Sequence, residues 1–175
     1  RLHFEESITP IAVKTFGSSH PAHLTGVSVK IGNVEYNLRG NLYDCRDNSF
    51  NLIAFDRNST VPYTSAKFEW YNRAGRNCGR LPWVINNYRY DQMVTGAYGD
   101  LIYYVDNVPV GDSVLMYSIG NARYSLWPAA AKSKLGELGV SAAQLNALQD
   151  GEPVIIYGRK GIAPGTAKFY TTTEL

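Results

Sequence analysis

Four groups of residues carry side chains able to do chemistry. His20 and His23 stand three apart, a spacing that on a helix puts two imidazoles on one metal ion. Pro21 lies between them and Gly-Ser-Ser precedes them, so a helix is not expected and no third ligand is near. They read as loop histidines, and no metal or other cofactor is expected. His3 sits in what reads as a terminal arm. Cys45 and Cys78 lie in polar, turn-rich stretches (Tyr43-Asp44-Cys45-Arg46-Asp47 and Arg76-Asn77-Cys78-Gly79-Arg80). A buried free thiol prefers apolar neighbours, so the two read as one disulfide formed in an oxidising compartment.

The third group is Gly158-Arg159-Lys160-Gly161, two cations between glycines. Such a turn can aim charge and backbone N–H groups at one anion. The phosphate-loop spacing Gly-x-x-x-x-Gly-Lys is missing, and the simpler reading is a tight turn with two solvated cations. The fourth group is aromatic. Trp70, Tyr71, Trp83, Tyr88, Tyr90 and Tyr98 are interleaved with Asn72, Asn77, Asn86, Asn87, Arg73, Arg80 and Arg89. Flat rings beside amide and guanidinium donors are what a glycan or small-ligand site uses. The same mix also describes a segment packed on its own aromatics, and both readings stay open.

Catalysis has little to build on. There is no nucleophile elbow, and all three histidines precede residue 24. Asp91, Asp100, Asp106 and Glu152 are acids a hydrolase would need in pairs, but a chain with 15 acids offers such pairs freely. The expectation is a protein that binds rather than transforms.

Composition agrees. A chain of 175 residues normally forms one domain with its own core. A net charge of +2 supplies no field for nucleic acid, and no apolar run reaches the length of a bilayer span. The unusual residue is tyrosine, 13 of them, suited to half-buried strands and wet binding surfaces. The stretch 1–8 carries acids and no apolar core, so it does not read as a signal peptide. The start at Arg1 reads as processing or excision from a longer chain, which makes this a part of a larger protein. Asn58-Ser59-Thr60 matches a glycosylation acceptor, a tripeptide common by chance.

The elements that must position these groups alternate strand and turn. Strands are expected at 8–16, 50–55, 66–71, 113–119, 154–157 and 166–170, with a hairpin at 26–38 turning on Gly32-Asn33. The stretch 83–93 has some helical spacing, and 101–108 is ambiguous between helix and strand. A helix is expected at 127–138, with Leu126, Ala130, Leu135 and Leu138 inward and Gly139 as its stop. Ser141 caps a second helix that buries Leu145 and Leu148 and ends at Gly151. The fold class is α+β, mostly β, in one domain over 1–175.

The order of these pieces resembles the interleukin-like EMT inducer domain. The matching residues are Asn51-Leu52-Ile53-Ala54-Phe55-Asp56, Val108-Pro109-Val110-Gly111, Val114-Leu115-Met116-Tyr117, Lys134-Leu135-Gly136-Glu137-Leu138-Gly139 and Ile155-Ile156-Tyr157-Gly158-Arg159-Lys160-Gly161. The resemblance covers roughly 27–170, with a Tyr/Trp/Asn-rich insertion at about 63–98. It implies a compact two-sheet antiparallel β-sandwich flanked by two or three short helices, with 101–106 helical. Relatives of this kind occur in large secreted bacterial proteins, some linked to type IX secretion, and a related domain binds glycan. Many members carry an acidic pair after the central strand and Arg-Asp before the last one. Here those places hold Ser118-Ile119-Gly120-Asn121 and Gly151-Glu152.

The combined expectation is a non-catalytic extracellular or cell-surface module that binds carbohydrate. Its ligand-binding residues would be Trp70, Trp83, Tyr88, Asn121, Arg123, Glu152 and Arg159. The alternative is a protein-interaction or spacer domain of a secretion or surface-assembly complex. The partner is then a glycan or another surface protein, with no nucleic acid and no membrane insertion.

Overall fold

A strand whose residues are all buried needs a layer on each of its faces. Strand β5 (Ser49–Phe55) is such a strand, and β8 (Ser113–Ile119) is buried from its second residue onward. The structure, a computed structural model, describes residues 1–6, 10–37, 44–59, 61–68, 77–96 and 99–171. It places β5 and β8 side by side in a six-stranded sheet of order β10-β9-β8-β5-β7-β6. The neighbours are β9 (Val154–Arg159), β10 (Lys168–Thr171), β6 (Asn77–Cys78) and β7 (Ile85–Tyr88). Every pairing is antiparallel.

Strand period sorts the side chains into two cores. Phe50, Leu52, Ala54, Val114, Met116, Val154 and Ile156 pack against the helical layer. That layer holds α1 (Leu101–Asn107), α2 (Ala129–Lys134) and α3 (Ala142–Ala147). Ile53, Phe55, Leu115, Tyr117, Ile119 and Ile155 pack the other way. They meet a four-stranded sheet of β1 (Leu2–Glu6), β2 (Ile11–Thr15), β3 (Ser28–Ile31) and β4 (Val34–Glu35). The register Leu115↔Ile53 and Met116↔Leu52 keeps the two sets apart, and a one-residue slip would exchange them. The result is the expected mostly-β α+β domain, two antiparallel sheets with three short helices.

Local signals explain the helical layer. Asp100 caps α1 by accepting from the Tyr103 amide, and Ser141 with Gln144 forms a capping box on α3. Helix α1 settles the ambiguity at 101–108 in favour of helix. The helix expected at 127–138 is α2 followed by a 3₁₀ turn (Leu135–Leu138), stopped by Gly139 at φ 91°. Leu135 and Leu138 are buried, but Leu126 is 54% exposed and Ala130 faces solvent. Trp127 takes the inward place, its Nε1–H donating to the Ala122 carbonyl.

Three other expectations change. The terminal arm is strand β1, with His3 opposite Lys14. A 3₁₀ turn (Ser65–Phe68) occupies the start of the strand expected at 66–71, whose end lies outside the described residues. Residues 85–88 are strand rather than helix. Asn51 opposite Asn87 and Asn86 opposite Asn77 place amides across from each other, a pairing that a helical reading of one segment cannot register. Cys45 and Cys78 are bonded, Cα–Cα 5.2 Å, and tie the approach to β5 onto β6.

Candidate functional site

A cleft of about 560 Å³ opens at the β9 entry end of the large sheet. One wall is the loop Gly17, Ser18, Ser19 and His20; the other runs from Ala147 and Gln149 to Pro153. The walls join at their base, where the Ser18 amide donates to the Gly151 carbonyl at 2.9 Å. Gly151 has φ 83°, and a Cβ there would meet Ser18 Oγ at 2.1 Å. Gly17 would bring a Cβ within 3.0 Å of the Gly151 carbonyl oxygen. Two glycines thus let the loops close on each other.

Helix α3 stops at Ala147 with Leu148 as its C-cap, short of the expected end at Gly151. The left-handed Gly151 makes a separate turn further on, with Asp150 and Glu152 both on this wall. Asp150 accepts from the Ser125 amide (2.9 Å) and the Ser125 hydroxyl (2.6 Å). Those bonds hold its carboxyl below the usual aspartate range, with Arg123 and Lys132 adding attraction. Glu152 accepts from the Gln149 amide at 3.0 Å and from the Thr171 hydroxyl. Its own carbonyl takes the Tyr124 hydroxyl at 2.7 Å, and burial pushes that phenol well above its ordinary pKa. Both acids keep lone pairs for a further donor.

The turn 120–126 runs beside this cleft. Gly120 bridges to Gly17, and Ser125 holds Asp150. Within the turn the Asn121 amide donates to Asn48 Oδ1 at 2.8 Å, and Asn121 Oδ1 accepts from the Arg123 amide at 3.0 Å. Arg123 is exposed and stacks over the Tyr90 ring at 5.1 Å. His20 lines the cleft, stacked on Phe16 at 4.4 Å, its Nδ1 accepting from the Ala22 amide. His23 Nδ1 pairs with the His20 carbonyl at 2.7 Å. These imidazoles shape a turn, and among the described residues no group of three or more His, Cys, Asp or Glu can hold a metal ion.

Of the expected binding residues, Glu152 lines the cleft, while Asn121 and Arg123 stand on the neighbouring turn and are not on its lining. Arg159 is remote: it pairs with Ser113 at the far end of β9, roughly 17 Å away at the rise of an extended strand. Trp83 and Tyr88 are buried, and the Tyr88 hydroxyl bonds the Gly99 and Asp100 carbonyls. Neither ring offers a face to a ligand, so the aromatic platform resolves, at both, into local core. Asn86 and Asn87 are buried too, the Asn87 amide reaching Asp47, Ser49 and Asn51 at 2.7–2.9 Å. Trp70, Tyr71, Asn72, Arg73 and Tyr98 lie outside the described residues.

The basic turn is only half solvated. Lys160 is buried; its Nζ caps α1 at the Val105 carbonyl and pairs with Glu137 at 3.3 Å. Sequence reasoning passed over Asp150, Gln149 and Ser18. The available signal was a turn glycine flanked by two acids, Asp150-Gly151-Glu152. Compared with known proteins, the chain matches no family model, no curated protein and no solved structure.

Proposed function

We propose that this domain is a non-catalytic module that binds carbohydrate in the cleft between residues 17–20 and 149–153. The observation that supports the reading most is the lining itself. Asp150, Glu152, Gln149, Ser18 and His20 converge on an open cleft of about 560 Å³. Sugar hydroxyls donate and accept at once, and a carboxylate can take two neighbouring hydroxyls together. Both carboxylates are oriented by neutral donors, so binding would demand little reordering. The extracellular or cell-surface setting rests on the Cys45–Cys78 disulfide, which persists in oxidising compartments. A role as one module of a larger secreted protein, of the interleukin-like EMT inducer kind, belongs to the same proposal. No helix among the described residues is long and apolar enough to cross a membrane.

The rival reading, a spacer or protein-interaction domain, needs an apolar patch for its partner. Among the described residues the exposed large apolar side chains are Val61, Leu81, Val94, Val110, Leu126 and Tyr170, each on a separate segment of the chain. A glycan array followed by titration calorimetry tests the choice. Saturable binding to at least one oligosaccharide is expected; an empty array together with no heat from common polysaccharides would defeat the proposal.

A further inference from the structure

His20 and His23 hold opposite tautomers. A backbone amide can only donate, so the Ala22 amide, 3.0 Å from His20 Nδ1, finds that nitrogen without a proton. The neutral His20 ring therefore carries its proton on Nε2. A carbonyl can only accept, so His23 Nδ1, 2.7 Å from the His20 carbonyl, carries a proton, and in the neutral ring its Nε2 is an acceptor. Of the two, only His20 lines the cleft. Its place is set from three sides. The His20 amide bonds the Gly17 carbonyl at 3.1 Å, closing a turn on the two residues, Gly17 and Ser18, that meet Gly151. The Phe16 ring stacks on it, centroids 4.4 Å and planes 27° apart. The Nδ1 edge is taken up by Ala22. Nε2 bonds nothing among the described residues, and it is not one of the buried polar atoms left without a partner. A donor with a fixed tautomer and a supported ring, left open on a residue of the cleft wall, is available to an acceptor from outside the protein.

We propose that His20 is the cleft's hydrogen-bond donor to an uncharged sugar, its Nε2–H selecting the ligand together with the carboxylates of Asp150 and Glu152. The proposal rests on the carbohydrate reading above and adds a contact residue and the ligand class. The chemistry follows from what lines the opening. His20 stands on one wall and the two acids on the other, and the walls join through the Ser18 amide and the Gly151 carbonyl. The carboxylates accept only, and neutral groups already orient them. A ligand that fits all three groups brings donors for the acids and an acceptor for His20. Neighbouring sugar hydroxyls do both, since each donates one proton and accepts through its oxygen. A carboxylated sugar would satisfy His20 but bring a third negative charge to the two acids.

The test uses the whole domain, titration calorimetry and nitrogen NMR of the imidazoles, with glucan, mannan and chitin oligosaccharides as probes. Wild type is expected to bind at least one of them. At saturation the His20 Nε2–H signal should shift, while the ring of His23, which is off the lining, stays. His20→Asn keeps an acceptor near the Nδ1 place for the Ala22 amide and deletes the outward donor. It should weaken binding by about fivefold or more. Its thermal midpoint should stay within about 4 °C of wild type. His20→Gln sets an amide N–H near the Nε2 place and should recover part of the loss. Full binding in His20→Asn overturns the proposal and leaves the carbohydrate reading standing. So does an Nε2–H signal that ignores the ligand, an equal loss in the two variants, or a fall of more than about 8 °C in both, which makes the ring structural. Wild type that binds no probe overturns this proposal together with the reading beneath it.

Discussion

The two ends of the large sheet treat charge in opposite ways. At the end where β9 finishes, cations and anions satisfy one another. Lys134 bridges Asp106 and Glu137, each at 2.7 Å, and Lys160 joins Glu137 at 3.3 Å. Buried Asp112 takes the Tyr63 hydroxyl at 2.7 Å and the Arg57 side chain at 3.3 Å. At the end where β9 begins, Asp150 and Glu152 are held by neutral donors, Ser125, Gln149 and Thr171. Charge paired within the fold serves stability, while charge aimed by neutral groups stays available to a ligand. Motif reading took the basic turn for a tight turn with two solvated cations, whereas Lys160 is buried and paired.

The sharpest way to break the contrast is Lys160→Met. It removes a buried cation and takes one donor each from the Val105 carbonyl, which keeps the Val108 amide, and from Glu137, which keeps Lys134. A loss of about 2–3 kcal/mol is expected in urea denaturation, with ligand affinity unchanged. A variant that bound more weakly without losing stability would mean the two ends are not separate. Next comes Gly151→Ala, which forces a Cβ at φ 83° onto Ser18. It should cost about 1–2 kcal/mol and, unlike Lys160→Met, weaken binding as well.

Asp150→Asn should reverse the balance, changing stability by less than about 1 kcal/mol while lowering sugar affinity about tenfold or more. Unfolding and calorimetry on one preparation decide it. The pH dependence follows the same division. Glu137 has its carboxyl lowered, first by the hydrogen bond from Lys134, so its stabilisation is present above its unfolded value near 4.5. It fades as pH falls through the lower folded value. Lys134 is raised, first by Asp106, so its share is complete below about 10.5 and fades as pH climbs past that. The stability gap between wild type and Glu137→Gln should therefore close on acidification, as a midpoint series in pH will show. Smallest of all is Tyr117→Phe. The buried Tyr117 hydroxyl has no hydrogen-bond partner among the described residues, so its removal should be neutral or slightly stabilising in the same assay.

How far the sequence reached depends on how local the determinants were. The stretch 113–171 was largely legible because a cap, a stop and strand period agree. Ser141 and Gly139 sit where short-range rules put them, although α3 ends at Ala147 rather than Gly151. The stretch 101–108 stayed ambiguous because period does not separate helix from strand in a short apolar run. The stretch 77–96 was not legible, because Asn86 and Asn87 look like surface residues until a neighbouring strand buries them. The burial of Asn87 is satisfied by Asp47, Ser49 and Asn51, 36–40 positions away, which no window of sequence displays. Leu126 misled for a related reason, since period alone did not reveal that Trp127 would take the inward place. The cleft was half visible. Glu152 was named, but its convergence with Ser18, and the approach of the 120–126 turn that holds Asn121 and Arg123, depend on contacts between distant loops such as the Gly17–Gly120 bridge.

The most direct measurement is an amide NMR titration of the domain with neutral oligosaccharides. Saturable shifts at Ser18, Gln149, Gly151, Arg123 and Ser125, with Glu137 and Lys160 still, are the result this account predicts. Shifts confined to the Lys160 end, or none at any probe concentration, would contradict it.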